Sequence, residues 1–305
     1  MVTDSYFEIG YKHDICQDYA LAGKIDENTA YAIITDGCSS SHDFCRQLDV
    51  GARILAYSAI NVIKDLNKTN DIFEAIRTKN VDFDIQLSSK ILLSANDTRM
   101  RLGLIDMSLD CTLLIAISKS YIVDGQKKNK SVVLAYGDGD IVFNFNDGST
   151  VINSVDFPCG APFYLNYFLN KDRKKDYIAK FEPDVVVITH EFPHGYLNTE
   201  DTIVTTSESF LIDNNYKNAF TKSWYLENLK SIILFSDGVR SFECVKDGSN
   251  FPVEDLKVIR ELIFFKNLSD NFIKRRVNFF HKKTTIPLNW KHFDDMSEAG
   301  IVLGE

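Results

Sequence analysis

Three apolar runs in this chain stop abruptly at an aspartate. They are Ile33-Ile34-Thr35-Asp36-Gly37, Val132-Val133-Leu134-Ala135-Tyr136-Gly137-Asp138-Gly139 and Ile232-Ile233-Leu234-Phe235-Ser236-Asp237-Gly238. Short apolar runs bounded by turn residues predict buried strands. Each run therefore predicts a carboxylate at a strand tip. A single Asp-Gly is more often a turn than a site. Three of them, roughly 100 residues apart, predict carboxylates gathered at one edge of a sheet. Acids gathered away from water repel one another unless a cation lies between them.

The pattern around these runs gives the order of elements. Asp18 to Ile25 and Ala30 to Asp36 read as two strands around the polar turn Asp26-Glu27-Asn28-Thr29. From Ser41 to Leu66 the apolar residues fall on one helical face, and a second helix is predicted over Ile72 to Asn96. Cys111 to Ile117 and Ser131 to Tyr136 are continuously apolar, as in strands buried on both faces. Asn146-Asp147-Gly148 predicts a hairpin. Further strands are expected at Asp184 to Thr189, Asp201 to Thr206 and Ser231 to Ser236. Helices are expected over Val253 to Phe264 and Leu268 to Phe280, and a last strand over Gly300 to Leu303. Helices in pairs and strands in runs predict an α+β layered fold, not alternating βαβ units. One domain over 1–305, with a flap or insert around 155–230, is the simplest organisation.

Composition narrows the function classes. A net charge of −9 argues against a nucleic-acid binder, which needs a basic face. The basic clusters Lys171 to Lys175 and Lys274 to Arg276 read as solvated surface. The six cysteines contain no CxxC pair, so zinc-ribbon spacing is absent. His190, His194, His281 and His292 have no spacing that marks a ligand set. No secretory signal and no membrane-length apolar run is seen, so a reducing, cytoplasmic setting is expected.

The chemistry rests on Asp18, Asp36, Asp138, Asp237 and Asp294, joined by the carbonyl of Gly37. An all-oxygen set suits Mg²⁺ or Mn²⁺ rather than zinc or copper. Four or five aspartates suffice for two ions. A pair of ions about 4 Å apart activates a water and stabilises charge on phosphoryl oxygens. Two-metal phosphoester hydrolysis is the reaction that such residues suit, with Asp36 and Asp237 at its centre. Neither a Cys-x5-Arg nor a Ser-His-Asp arrangement offers a protein nucleophile.

In order, the chain has Cys16-Gln17-Asp18, Thr35-Asp36-Gly37, Asp110-Cys111-Thr112-Leu113-Leu114, Tyr136-Gly137-Asp138-Gly139, Phe235-Ser236-Asp237-Gly238-Val239 and Asp294-Asp295-Met296-Ser297. This series resembles the type 2C (PPM) metal-dependent serine/threonine protein phosphatases, most closely a bacterial branch. The resemblance implies an α-β-β-α four-layer sandwich with metals at one end of two antiparallel sheets. It implies that Asp36 bridges two ions, that the Gly37 carbonyl ligates one, and that Asp237 and Asp294 complete the second. It places Asp18 in inner or water-mediated contact and Asp138 at a third, weaker ion. It makes Lys12 and His13 the nearest candidates for a phosphate-binding arginine. It also implies a phosphoprotein substrate and a cognate Ser/Thr kinase, or that kinase's target, as partner, with no nucleic acid and no membrane.

Three departures stand out. Gln17 replaces an acid, Cys38 stands where many members have a histidine, and Ser241 stands where some have a further aspartate. His13, His42 or a water is then left to protonate the leaving group. These departures keep two alternatives open: a pseudophosphatase that binds without turnover, and a two-metal hydrolase of small phosphoesters.

Overall fold

The computed structural model describes residues 1–38, 48–69, 72, 74, 82–181, 184–193, 204–211 and 221–303. The expected helix start at Ser41, with His42 and Phe44, lies outside them, as do Phe73, Ile76 and His194.

A five-stranded antiparallel sheet is built from β2 (Tyr19–Lys24), β3 (Thr29–Gly37), β4 (Cys111–Val123), β5 (Gln126–Tyr136) and β10 (Thr221–Glu227), in the order β10-β5-β4-β3-β2. The hairpin between β2 and β3 forms where it was expected. The Asp26 carboxylate accepts the Asn28 N–H at 2.8 Å and closes that turn. β4 shows why its sequence does not alternate. Leu113, Ile115 and Ile117 face one core, while Leu114 and Ala116 face another.

The second sheet has seven strands, in the order β1-β15-β11-β6-β7-β8-β9. They are β1 (Val2–Glu8), β6 (Gly139–Phe145), β7 (Thr150–Asp156), β8 (Asp184–Phe192), β9 (Val204–Leu211), β11 (Leu229–Phe235) and β15 (Met296–Val302). Ile232 and Leu234 of β11 meet Ile34 and Leu114 of the first sheet in the central core. Ile233 and Phe235 point the other way.

Helices cover both outer faces. Ala52, Leu55, Ala59, Ile60 and Ile63 of α1 (Leu48–Lys68) pack with α2 (Asp82–Arg101) on the first sheet. Lys171–Phe181 forms α3. Val258 and Leu262 of α4 (Asp255–Ile263), with Ile273 and Val277 of α5 (Phe272–Phe280), cover the second sheet. Three cores between four layers make the α-β-β-α sandwich that was expected.

Several elements were not expected. These are β1, β10, α3 and a small third sheet of β12 (Phe242–Lys246), β13 (Ser249–Pro252) and β14 (Trp290–His292). Within α3 Lys171 and Lys175 are exposed as expected, while Arg173 and Lys174 correct the reading of the run as solvated surface. Lys174 is 5% exposed with its Nζ 4.6 Å from the Phe168 ring centre, and Arg173 pairs with Asp106 and Asp110.

Candidate metal centre

Sheet register brings the strand tips together. Asp36 pairs with Thr112 and Gly37 with Cys111 at the end of β3 and β4. Leu113 pairs with Tyr136, so Gly137-Asp138 leaves β5 at the same edge. In the facing sheet Phe235 pairs with both Asp140 and Glu298, which puts Asp237 at the matching edge. A cavity of about 310 Å³ opens there, lined by Asp36, Gly37, Asp138, Asp237 and Asp294 among others. Asp18 lies beneath it, 1% exposed, and accepts the Ser236 hydroxyl at 2.6 Å.

The loops hold this arrangement by close backbone contact. Gly238 has no room for a side chain, because a Cβ there would lie 1.7 Å from the Asp295 carbonyl oxygen. Gly137, at φ +99°, makes the left-handed turn that carries Asp138 to the edge. Ser241 Oγ accepts the N–H groups of Phe293 and Asp294, each at 3.1 Å, and donates to the Gly238 carbonyl at 2.7 Å. The position read as a lost ligand thus orients the Asp294 segment.

The electrostatics match a site built for added positive charge. Burial raises the Asp18 pKa to about 7, against the pull of the Ser236 hydrogen bond. Burial also lifts Asp138 to about 7, with the Asp237 charge adding to it and the Thr112 hydroxyl at 2.8 Å opposing. Asp36 is pushed well above the ordinary carboxylate range, first by burial and then by the charges of Asp18 and Asp237. Burial and Asp237 raise Asp294 as well. Asp18 Oδ1 is buried with no hydrogen-bond partner. An orphaned carboxylate oxygen beside crowded acids, in a donor set dominated by carboxylates, fits hard divalent cations.

Around this cavity stand buried acids that have partners. Arg240 forks onto Asp140 at 2.8 and 3.0 Å. Arg173 and Asn166 bind Asp110, tying the segment that carries Tyr164 to the cavity wall. Asp295 accepts the Gly10 and Gln17 N–H groups at 2.8 and 2.6 Å. None of Arg240, Ser241 and Asp295 had been singled out for these roles. For Arg240 the available signal was a lone arginine three residues past a strand-tip aspartate.

Lys12 and His13, expected at the phosphate, are not among the residues lining the cavity. Lys12 Nζ sits 4.4 Å from the Phe293 ring centre. His13 lies 3.0 Å from Asp295 Oδ2 and 3.5 Å from Asp294 Oδ1. Burial lowers its pKa, but Asp295 and Asp294 outweigh that and raise it. Cys38 lines the cavity, and its N–H donates to the Asp110 carbonyl at 3.0 Å. Of the histidines read as lacking a ligand pattern, His281 and His292 converge on Glu8, at 2.7 and 3.3 Å from its Oε1. No helix among the described residues is long and apolar enough to cross a membrane.

A family model described as protein phosphatase 2C matches residues 11–257. No curated protein sequence matches. Similar solved structures include serine/threonine phosphatase Stp1 from Staphylococcus aureus, at 11% identity and TM-score 0.46, covering 100% of this chain and 96% of that one. A bacterial serine phosphatase is similar at 12% identity and TM-score 0.46, covering 99% of this chain and 98% of that one. The phosphatase domain and regulatory fragment of SpoIIE from Bacillus subtilis match at 11% identity and TM-score 0.43 over 99% of this chain. The chain spans 63% of that SpoIIE structure. At these scores the family assignment rests on the family match alone.

Proposed function

The chain belongs to the protein phosphatase 2C family of serine/threonine protein phosphatases, and from that premise we propose that its aspartate cavity hydrolyses phosphoserine and phosphothreonine in proteins. The observation that carries this reading is the crowding of Asp18, Asp36, Asp138, Asp237 and Asp294, with burial and mutual charge raising four of them and Asp18 Oδ1 left without a partner.

Two divalent cations, Mg²⁺ or Mn²⁺, would be held there, supplying a water of lowered pKa and positive charge for the phosphoryl oxygens. Asp36 is acted on by the charges of both Asp18 and Asp237 and is the candidate bridge. The Gly37 carbonyl, Asp237 and Asp294 are the further candidate ligands. Asp138, with Thr112 fixing one of its oxygens, is the candidate for a third, weaker ion. Asp295 and Asp294 raise the His13 pKa against the effect of burial, and with Lys12 it is the candidate to meet phosphate oxygens at the Asp294 side. Tyr164, Phe157 and Pro162 wall the cavity on its apolar side. A phosphoprotein substrate, a cognate kinase or its target as partner, and a cytoplasmic setting belong to the same proposal.

The test is phosphate release from a phosphothreonine peptide with added Mn²⁺. Activity abolished by EDTA and by Asp237→Asn is expected. Full activity in either case would overturn the reading. A binding module without turnover is the competing reading, favoured by Gln17, whose neutral Oε1 is buried without a partner. It predicts peptide binding with no phosphate release at any Mn²⁺ concentration.

A further inference from the structure

We propose a second metal site, separate from the aspartate cavity, in which Glu8, His281 and His292 hold a zinc-class divalent cation. Among the described residues these are the group whose three ligand atoms fall within 4.8 Å of one another. They come from three elements: the end of β1, the turn after α5, and the end of β14. The side chains are 14–24% exposed, sheltered but reachable.

The hydrogen bonds behind the two rings fix what the rings present. His292 Nδ1 lies 3.0 Å from the Asp294 carbonyl oxygen, which can only accept. Nδ1 therefore carries the ring hydrogen, and a neutral His292 turns a bare Nε2 lone pair towards Glu8. His281 Nδ1 lies 3.0 Å from Thr285 Oγ1. The same hydroxyl lies 3.2 Å from the His281 carbonyl, and when it donates there it accepts from Nδ1. His281 too then presents a bare Nε2. Both lone pairs face one carboxylate oxygen, Glu8 Oε1, while Oε2 is taken by the Tyr6 hydroxyl at 3.3 Å.

The Nε2 atoms of His281 and His292 and Glu8 Oε1 thus converge within 4.8 Å of one another. The two ring planes stack at 29° with centres 6.0 Å apart. One divalent cation would be shared by all three atoms. A tetrahedral ion with bonds of about 2.1 Å needs ligand atoms about 3.4 Å apart. The His292 pair stands at 3.3 Å, and the His281 pair at 2.7 Å opens slightly on binding. Two imidazoles and one carboxylate suit zinc rather than magnesium, and leave a fourth position for water. Rings held through their far nitrogens are the usual outer support of metal-binding histidines.

The experiment is calorimetric titration of the chelator-stripped full chain with Zn²⁺ in saturating Mg²⁺, which fills oxygen-only sites. One Zn²⁺ per chain is expected. Glu8→Gln and His281→Asn should each weaken it by at least about 10-fold, and Thr285→Val by about 10-fold through the lost support. Asp237→Asn should leave it unchanged, whether or not it abolishes phosphate release, so the zinc arm stands apart from the phosphatase reading. Circular dichroism checks that the near-isosteric Glu8→Gln remains folded. Zinc binding unaltered by Glu8→Gln and Thr285→Val, zinc binding lost with Asp237→Asn, or no zinc binding at all would each overturn the site.

Discussion

The acids at the open end of the sandwich fall into two regions that differ in who neutralises them. In the surrounding shell Asp140, Asp110 and Asp295 are 1–5% exposed, yet each is met by an arginine or by main-chain N–H groups. In the cavity Asp18 and Asp138 receive one hydroxyl each, and Asp36 meets other acids. Burial is common to both, so burial does not mark the functional group. Between these two groups, the missing cation does. The shell acids hold the loops still, and the cavity acids are left to bind something the chain does not provide.

The comparison breaks most sharply at Asp36 and Asp237. Replacing either with asparagine should lower Mn²⁺-dependent phosphate release by about 10²–10³-fold while leaving the urea midpoint equal to or above that of the parent. A variant that unfolds instead would place these acids with the shell. Arg240→Ala should do the opposite. It strands Asp140, which is 1% exposed, and should cost about 3–5 kcal/mol in urea unfolding.

The acids also differ in pH behaviour. Asp18 and Asp138 stand at about 7 in the fold against 3.8 ordinarily. A carboxyl with a raised folded pKa adds stability fully below its unfolded value, and that stability is lost as pH rises through the folded value. The metal-free protein should therefore lose Tm steadily between pH 3.8 and about 7, and saturating Mn²⁺ should remove most of that slope. A flat metal-free profile would show that the cavity acids are already satisfied. The smallest effect is expected at Ser241, where alanine removes the acceptor for two N–H groups. We expect about 1 kcal/mol of stability lost and a weaker apparent Mn²⁺ affinity, read from activity against metal concentration.

The cavity group was legible because its members end apolar runs. Asp36, Asp138 and Asp237 each follow a strand whose residues pack on both faces, and only a sheet edge can place such an acid. The shell was not legible, since nothing local ties Asp140 to Arg240, 100 residues away. β1 was missed because its residues Thr3 to Glu8 are all half-buried and give no clear alternation. The third sheet was missed because β14 has 3 residues and β13 has 4. Glu8 and His281 stand 273 residues apart, beyond any motif spacing. The basic run at α3 reads as surface because charge alone does not reveal the aromatic ring beneath Lys174.

β1 also sets a timetable. It pairs with β15 from Val2 opposite Val302 to Glu8 opposite Met296, so the first strand waits for the last. Pairing across such a separation is slow, because the chain must close its longest loop before any contact rewards it. Asp294 and Asp295 immediately precede β15, and Asp295 binds the Gly10 and Gln17 N–H groups beside Asp18. The same late event therefore seats the N-terminal strand, clamps the Asp18 segment and delivers Asp294. Most of both sheets can therefore pair before Asp294 reaches the edge where Asp36, Asp138 and Asp237 already stand.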